Sequence, residues 1–345
     1  MTTRPRIGFL GTGWIGRSRM EAICQTGAVD VVALCDPDDA CASAALALAP
    51  AALRVGSFDD LLARNLDGLV IATPSAAHAQ QAIAALEQGC AVFCQKPLAT
   101  SAHDAAAVVA AARRADRLLG VDFSYRRTAA MQALRSLLNE GALGEVFALD
   151  LVFHNAYGPD KPWFYDAAQS GGGCLMDLGC HLVDAALWLL GYPPVERVDA
   201  SLMAAGRPAA ERRVEDYAVA TLHFPQGITA RLACSWNLHA GQDAEIAVRL
   251  YGTQGGAMLR NISGSFLDFE LVRTRGTHAE QIVAPPDAWS GRLAADWARR
   301  IAIEPGFDPA SEGFVAVSEA IDRIYRVGRH RSSQAPIGPR DQVTA

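Results

Sequence analysis

Lysine is rare in this chain, and one of its lysines lies where an ammonium group could take part in chemistry. Of the 31 lysine and arginine residues, only Lys96 and Lys161 are lysines. Lys96 directly follows the strand-like segment 91–95, at the expected end of a buried strand. A lysine presents a compact ammonium group whose pKa responds to its surroundings, unlike the guanidinium used elsewhere in this chain. We predict a catalytic role for Lys96; the alternative is that both lysines are chance survivors of an arginine-rich composition.

A second set of ionisable residues lies in the strongly apolar segment 174–190. Asp177, His181 and Asp184 are its only charged or titratable positions besides cysteine, and their spacing places them on one face of a helix. A solvated face would carry lysine, arginine and glutamate at more positions, so we expect this stripe to face a cleft. Three glycines at 171–173 would let a ligand approach the first turn. The alternatives are a helical surface pair for Asp177 and His181 and a structural hydrogen bond for Asp184.

A glycine motif near the N-terminus predicts a dinucleotide site. The motif comprises Gly11, Thr12, Gly13, Trp14, Ile15 and Gly16, and it directly follows a strand-like run and opens a helical one. Gly11 permits the turn, Gly13 lets the backbone approach a pyrophosphate, and Gly16 lets helix and strand pack closely. The free amides at the start of that helix would receive the phosphates. A purely structural glycine turn is the alternative.

Asp36 decides which dinucleotide we expect. It stands twenty residues after Gly16, at the end of the next strand, where a carboxylate would accept hydrogen bonds from the ribose hydroxyls. The following Pro37, Asp38 and Asp39 add negative charge and no arginine, so a 2′-phosphate would be repelled. The sequence therefore favours NAD over NADP.

The elements that would position these residues change in kind near residue 123. Before it, short aliphatic runs alternate with alanine-rich helical stretches, which is typical of a parallel sheet with crossover helices. Strands are expected at 6–10, 29–35, 68–73, 91–94 and 118–123, and helices at 15–25, 38–48, 76–88 and 101–115.

After residue 123 the runs lengthen and alternate, which indicates an antiparallel sheet. Strands are expected at 146–153, 195–203, 216–224, 228–238, 244–251 and 266–273, and helices at 129–139, 174–190, 289–303 and 311–327. The predicted fold class is α/β, with an N-terminal Rossmann dinucleotide-binding domain at 1–123 and a C-terminal α+β domain with a large, mainly antiparallel open sheet at 124–345.

Composition excludes several classes of partner. A formal net charge of -6 with scattered arginines argues against nucleic acid or an anionic membrane and favours a small neutral or polar substrate. The eight cysteines form no Cys-x-x-Cys pair, so we expect reduced thiols and no metal site. The N-terminus lacks the long apolar region of a signal peptide, and no uncharged stretch approaches a membrane span, so a cytoplasmic location is expected.

In order and spacing, these motifs resemble those of the Gfo/Idh/MocA family, the glucose-fructose oxidoreductase and inositol dehydrogenase group. The resemblance spans nearly the whole chain and rests on the glycine motif, on Gln95-Lys96-Pro97 and on the Asp-Leu-Gly-Cys-His segment 177–181. It extends to Ala72-Thr73-Pro74-Ser75 with His78 and to Glu312-Gly313. One departure is visible, because the usual Glu-Lys-Pro of the family reads Gln95-Lys96-Pro97 here. Loss of that carboxylate removes a charge partner of the lysine.

The resemblance implies an NAD-dependent oxidoreductase that transfers hydride between nicotinamide and a secondary or anomeric hydroxyl carbon of a sugar or cyclic polyol. It implies homodimer or homotetramer contacts through the open sheet, and it adds six residues to the cofactor site: Thr73, Pro74, Ser75, His78, Gln95 and Lys96. Two other functions in the family stay open, namely an NAD-using glycosidase that oxidises the sugar transiently and a non-catalytic NAD(P)-binding regulator. A regulator would need no proton chemistry, whereas Lys96, Asp177 and His181 would provide it.

By motif position, the resemblance makes Lys96, Asp177 and His181 the catalytic residues. Oxidation of an alcohol needs a proton acceptor beside a polarising donor. His181 suits the acceptor because an ordinary imidazole is mostly neutral near pH 7. Lys96 would stabilise the alkoxide-like oxygen, and Asp177 would bind a neighbouring hydroxyl or orient the imidazole. The opposite assignment, with Lys96 as the base, stays open.

Four further residues are candidates for substrate contacts. His154 and Trp163 belong to a loop rich in hydrogen-bond donors and aromatic faces, which suits a hydroxyl-rich ring. Tyr125 and Arg126 lie where the family places residues that face the active-site cleft. The alternatives are a packing role for His154 and Trp163 and an ion pair for Arg126.

Overall fold

The computed structural model describes residues 4–210 and 213–334. The N-terminal part is a parallel sheet with helices on both faces. Its strands are β1 (Arg6–Leu10), β2 (Asp30–Cys35), β3 (Leu53–Arg54), β4 (Gly68–Ile71), β5 (Ala91–Cys94) and β6 (Leu119–Val121), and its helices are α1 (Trp14–Gln25), α2 (Asp39–Leu48), α3 (Phe58–Leu62), α4 (His78–Glu87) and α5 (Ala102–Ala115). The strand order is β3-β2-β1-β4-β5-β6. This is the Rossmann order, and its reversal between β1 and β4 opens a crevice at the carboxyl ends of the strands, where dinucleotides bind.

The C-terminal part is a nine-stranded open sheet. Its strands are β7 (Val146–Asn155), β8 (Arg197–Ala204), β9 (Arg207–Pro208), β10 (Tyr217–His223), β11 (Thr229–Ser235), β12 (Ala244–Gly252), β13 (Gly256–Asn261), β14 (Phe269–Arg275) and β15 (His278–Val283), and its helices are α6 (Ala129–Asn139), α7 (Ala167–Ser170), α8 (Cys180–Leu190), α9 (Arg292–Ile301) and α10 (Glu312–Gln334). The strand order is β15-β14-β13-β12-β7-β11-β10-β8-β9, and β7 and β11 are its one parallel pair among the described strands. The predicted fold class is confirmed.

Helices cover one face of the large sheet. α6 packs against β14, α8 against β7 and α10 against β8, and apolar side chains from both sheets join in one continuous core. The alternating burial along β8 and β10 matches a sheet with one buried face. Phe147 and Tyr251 remain 53% and 40% exposed on β7 and β12.

α9 returns to the N-terminal sheet. Its Trp297 packs on Phe93 of β5 with ring centroids 5.7 Å apart, and Ala294, Ala298 and Ile301 belong to the same core cluster. The packing of the chain therefore crosses the boundary predicted at residue 123, although the change from parallel to antiparallel sheet occurs after β6.

The sequence pattern did not predict four strands, β3, β9, β13 and β15. β3 and β9 have two residues each, and five of the six residues of β15 are exposed, so none of the three shows an apolar alternation. The predicted helix at 174–190 has two parts, a π-helical turn at Leu175–Gly179 followed by α8.

One helical stretch, Ala167–Leu190, is long and apolar enough to cross a membrane by length and composition. Most of it is instead buried inside the protein, with 83% of its most apolar window covered. It therefore packs as a central core helix and places Asp177 and His181 next to the N-terminal sheet.

Candidate active site

A cavity of about 540 Å³ lies between the carboxyl ends of the parallel strands and the large sheet. Many of the residues predicted from the sequence line it together: Gly13, Trp14, Ile15, Thr73, Pro74, Ser75, His78, Gln95, Lys96, Tyr125, Trp163, Asp177 and His181. The side chains predicted for cofactor and for chemistry therefore share one space. Gly11, Thr12 and Gly16 lie beside it in the glycine turn, and Asp36 is bonded to that turn from the end of β2. Arg126 and His154 lie outside its lining.

Lys96 and Asp177 form the central ion pair of this cavity. The Lys96 ammonium donates to Asp177 Oδ1 at 2.7 Å and to the Asp177 backbone carbonyl at 2.8 Å. The other carboxylate oxygen accepts a hydrogen bond from the indole of Trp236 at 3.1 Å. Burial alone lowers the pKa of Lys96, but the charge and hydrogen bond of Asp177, with contributions from Cys180 and Asp122, together outweigh burial and raise the pKa above its ordinary value. Lys96 is therefore a cation at neutral pH.

His181 lies one helical turn after Asp177 and is enclosed by aromatic rings. Its ring centroid lies 4.9 Å from that of Tyr125, with Phe123 and Phe153 slightly farther away. Its Nδ1 is buried and has no hydrogen-bond partner among the described residues. Burial, then the positive charges of Lys96 and Arg19, hold the pKa of His181 well below its ordinary value. The imidazole is therefore neutral, and the His181 ring lines the cavity.

The π-helical turn at Leu175–Gly179 positions Asp177. Gly173 allows it to form, because a Cβ at this position would collide with the backbone of Glu215. The Glu215 carboxylate accepts from the amides of Gly173 and Leu175, both at 3.0 Å, and thereby anchors the start of the segment. Single π-helical turns are frequent at functional sites, where they re-aim side chains.

The glycine turn fits a dinucleotide pyrophosphate. Gly11 has φ +84°, in the left-handed region, and a Cβ there would lie 2.5 Å from the Ala72 carbonyl oxygen. A Cβ at Gly16 would overlap the Gly11 carbonyl, whereas a Cβ at Gly13 would meet nothing within 4 Å. Gly13 therefore leaves open space before the first amides of α1, which is where a pyrophosphate would bind.

Asp36 is bound to the glycine turn. Its Oδ2 accepts from the Thr12 amide at 2.5 Å and from the Thr12 hydroxyl at 3.1 Å, which fixes the carboxylate at the end of β2. The sequence shows no arginine near Asp36, but the fold places Arg54 there. Arg54 donates to the Asp36 carbonyl at 3.1 Å and forms an ion pair with Asp39 at 2.7 Å. Arg54 is thus paired with Asp39, and the Asp36 carboxylate stands at the end of β2, where a ribose usually binds in this fold.

His78 supports the Lys96 loop. Its ring nitrogens lie 2.7 Å from the Pro97 carbonyl and 2.8 Å from the Thr73 carbonyl, and the residue is 1% exposed. The bond between Lys96 and Pro97 is cis. Because both ring nitrogens face backbone carbonyls, the structure gives His78 the role of joining the loops after β4 and β5.

The structure does not place His154 in the cavity. His154 is 8% exposed, its Nδ1 lies 2.8 Å from the Ser235 hydroxyl, and its ring stacks on Tyr217. Side chains alternate between the two faces of a strand, so its neighbours Phe153 and Asn155 line the cavity instead. The Asn155 side-chain oxygen is buried without a hydrogen-bond partner in the described part of the chain. The polar side chain that β7 presents to the cavity is therefore Asn155, one position after the predicted His154.

Arg126 also lies outside the cavity lining. Its guanidinium forms a bidentate ion pair with Asp184 of α8 and donates to the Tyr192 hydroxyl at 2.7 Å. It also lies over the rings of Phe123 and Trp188. The structure therefore supports the ion-pair alternative for Arg126 and the structural alternative for Asp184.

The remaining substrate candidates do reach the cavity. Tyr125 packs edge-on against His181, and its ring centroid lies 5.1 Å from that of Trp289. Trp163 stacks on Phe164, with the ring centroids 3.8 Å apart. Asn155 and Trp289 complete the wall, and Trp236 lies behind it, bonded to Asp177. No motif marks these three residues. A signal for Trp236 exists in its position at the end of an alternating strand, where a buried indole needs an acceptor.

Two family models match this chain. The model for the NAD-binding Rossmann fold of the oxidoreductase family matches residues 5–123, and the GFO/IDH/MocA C-terminal domain matches residues 131–258. The chain belongs to the GFO/IDH/MocA family. The family is an oxidoreductase family, and the predicted NAD-dependent activity is confirmed at this level.

Several relatives in the GFO/IDH/MocA family cover most of the chain. D-glucoside 3-dehydrogenase of Escherichia coli (strain K12) is 30% identical, over 75% of this chain and 78% of its own. Inositol 2-dehydrogenase of Acidiphilium cryptum (strain JF-5) is 32% identical, over 84% and 90%. The crystal structure of GenD2 from gentamicin A biosynthesis, in complex with NAD, superposes with a TM-score of 0.80 at 25% identity and covers 95% of each chain.

Proposed function

We propose that this protein oxidises a secondary hydroxyl of a sugar or cyclic polyol with NAD, with His181 as the proton acceptor and Lys96 as the cation that stabilises the reacting oxygen. The observation that carries the proposal is that the Lys96–Asp177 ion pair and the His181 ring line the same cavity. Lys96 has a raised pKa and His181 a strongly lowered one, so the lysine is charged while the imidazole is neutral. The electrostatics thus favour His181 over Lys96 as the base, the choice that the motifs leave open.

NAD, when bound, supplies the hydride acceptor. The glycine turn and Asp36 would hold its pyrophosphate and ribose, and the cavity wall from Thr73 to Ser75 would border it. The chain itself moves one proton, from the substrate hydroxyl to the neutral imidazole of His181. Lys96 stabilises the negative charge that develops on the oxygen.

Three side chains would orient the sugar. Asn155 offers a buried oxygen without a partner, which would accept from a second hydroxyl. Trp163 and Tyr125 present aromatic faces to the cavity, and such faces pack against the C–H side of a sugar ring. The relatives that act on a D-glucoside and on inositol agree with a ring that carries several hydroxyls.

A substrate screen tests the proposal. Monosaccharides, glycosides, inositols and anhydrosugars are incubated with the protein and NAD, and NADH formation is followed by ultraviolet absorbance. At least one of them should give NADH at a rate that Lys96→Ala abolishes. Release of aglycone without net NADH would establish the glycosidase instead, and NADH binding without turnover of any compound would establish the regulator.

We further propose a cytoplasmic homodimer or homotetramer. All eight cysteines lie in the described part of the chain as free thiols, which supports a reducing compartment. The exposed aromatic rings of Phe147 and Tyr251 on the large sheet support contacts between copies. Light scattering coupled to size-exclusion chromatography gives the subunit count, and a monomer would contradict this part of the proposal.

A further inference from the structure

A buried ion pair lies beside the Lys96 loop and is not used by the mechanism above. Arg19 of α1 donates from Nε to Asp122 Oδ2 at 2.6 Å, and the two residues are 4% and 1% exposed. The side-chain amide of Gln95 donates to the same carboxylate oxygen at 2.6 Å and is itself 6% exposed. Arg19, Asp122 and Gln95 all contribute to the cavity lining. We call these three residues the Asp122 network.

The Asp122 network holds the backbone that carries Lys96. Gln95 is the residue before Lys96, and its backbone amide also donates to the Ile71 carbonyl at 2.9 Å. The Asp122 amide donates to the Cys94 carbonyl at 2.9 Å, so backbone and side-chain bonds join residues 94–95 to Asp122 twice. A shift of Asp122 or Gln95 would therefore move the start of the Lys96 loop.

The amide of Gln95 keeps the Asp122 network to a single carboxylate. A glutamate here would place a second carboxylate 2.6 Å from the Asp122 oxygen, because Gln95 Nε2 occupies that point. Two carboxylates at hydrogen-bond distance cannot both be ionised, and the pKa of one is raised strongly. Arg19 can neutralise only one of them. An amide is the group of the same shape that donates to Asp122 without adding charge.

We propose that the Asp122 network positions Lys96 for catalysis, with Asp122 as its single carboxylate. The inference rests on the proposed function, since its main readout is turnover. The charges of the network act in the same direction as this role: Asp122 helps raise the pKa of Lys96, and Arg19 helps lower that of His181.

The decisive variant is Gln95→Glu. We expect kcat at neutral and alkaline pH to fall on the order of ten- to a hundredfold, the usual effect of a small misplacement of a reacting group. The Kd of NADH should change less than kcat does, because the glycine turn and Asp36, which would hold the pyrophosphate and ribose, are unaltered. As the pH falls through the raised pKa of the new carboxyl, that group protonates, donates to Asp122 and restores kcat relative to the parent protein.

Two further variants make the test specific. Gln95→Glu combined with Asp122→Asn restores one carboxylate and one amide in exchanged positions, so kcat should recover to within about tenfold of the parent and the new pH dependence should disappear. Gln88→Glu adds the same charge at an exposed position on the C-terminal side of α4 and should leave kcat and its pH profile unchanged.

Parent-like kcat and pH profile in Gln95→Glu would overturn the proposal, and so would a double variant no better than the single one. Thermal unfolding as a function of pH separates this result from a failure of the proposed function, because it needs no substrate. The Tm deficit of Gln95→Glu should grow as the pH rises and shrink in the double variant, even if no sugar is turned over. If the Tm deficit of Gln95→Glu did not depend on pH, the new carboxyl would not share a proton with Asp122, and the proposed role of the Asp122 network would be wrong.

Discussion

The ammonium of Lys96 and the carboxylate of Asp177 form a 2.7 Å ion pair between residues 81 positions apart in the sequence. The pair joins the loop after β5 to the π-helical turn before α8. It therefore connects the N-terminal parallel sheet to the helix that carries His181. It also separates the roles of two titratable groups, because it keeps Lys96 charged while burial and nearby cations keep His181 neutral.

Lys96→Ala should lower kcat at least about a hundredfold, since it removes the cation that stabilises the reacting oxygen. NADH binding should survive, because the glycine turn and Asp36 remain. Steady-state kinetics and titration of NADH fluorescence measure the two quantities separately. Near-normal turnover in this variant would refute the assigned mechanism.

Asp177→Asn should move the alkaline limb of kcat/KM to lower pH. Asp177 is the main group that raises the pKa of Lys96, and burial, which lowers that pKa, persists in the variant. Lys96 then loses its proton at a lower pH, and turnover is lost as the pH rises through this lower pKa. The acid limb belongs to His181, whose pKa is not governed by Asp177, and should keep its position. An unmoved alkaline limb would show that Lys96 does not set it.

Trp236→Phe tests the second hydrogen bond of the Asp177 carboxylate. The variant keeps an aromatic ring and loses the indole donor at 3.1 Å, so it should destabilise the fold by about 1.5–3 kcal/mol and lower kcat. Trp297→Phe is the matched control, because its indole nitrogen is buried without a partner among the described residues. Trp297→Phe loses packing contacts but no hydrogen bond, so it should leave kcat unchanged. Chemical denaturation and kinetics on both variants decide the point, and equal kcat in the two would remove Trp236 from the site.

The sequence motifs predicted those cavity residues whose spacing is set locally, within a single turn or helix. The glycine turn, Lys96, Asp177 and His181 lie within short segments whose spacing is set by one turn or one helix, and all of them converge on the cavity. The alternating and alanine-rich runs likewise predicted both sheets.

Long-range packing accounts for what the sequence did not reveal. Arg54 lies 18 positions from Asp36 and Trp236 lies 59 from Asp177, so no local spacing connects them. His154 was chosen over Asn155 because a histidine stands out by its chemistry, yet the face of β7 that meets the cavity is decided by its pairing with β11 and β12. A choice of strand face that is wrong by one residue exchanges a cavity group for a core group.

Asn155→Ala should raise KM for the sugar and lower kcat/KM by about tenfold or more, because a substrate hydroxyl loses its acceptor. KM for NAD should stay within about twofold, since Asn155 belongs to the large sheet. His154→Asn is the neighbouring control on the opposite face and should act on stability while KM for the sugar is kept. Kinetics with each substrate varied in turn distinguishes them, and the reverse outcome would return His154 to the site.

Arg126→Met should destabilise the fold by about 3–5 kcal/mol, because it leaves Asp184 buried beside no cation. Burial already raises the pKa of Asp184, and Arg126 opposes this, so its removal raises that pKa further. A raised folded-state pKa means that stability is present at low pH and lost as the pH rises through it. Arg126→Met with Asp184→Asn removes the charge and should recover part of the stability and flatten its pH dependence. Urea unfolding at several pH values measures both effects. If Arg126→Met instead kept full stability and raised KM for the sugar, Arg126 would be a substrate residue after all.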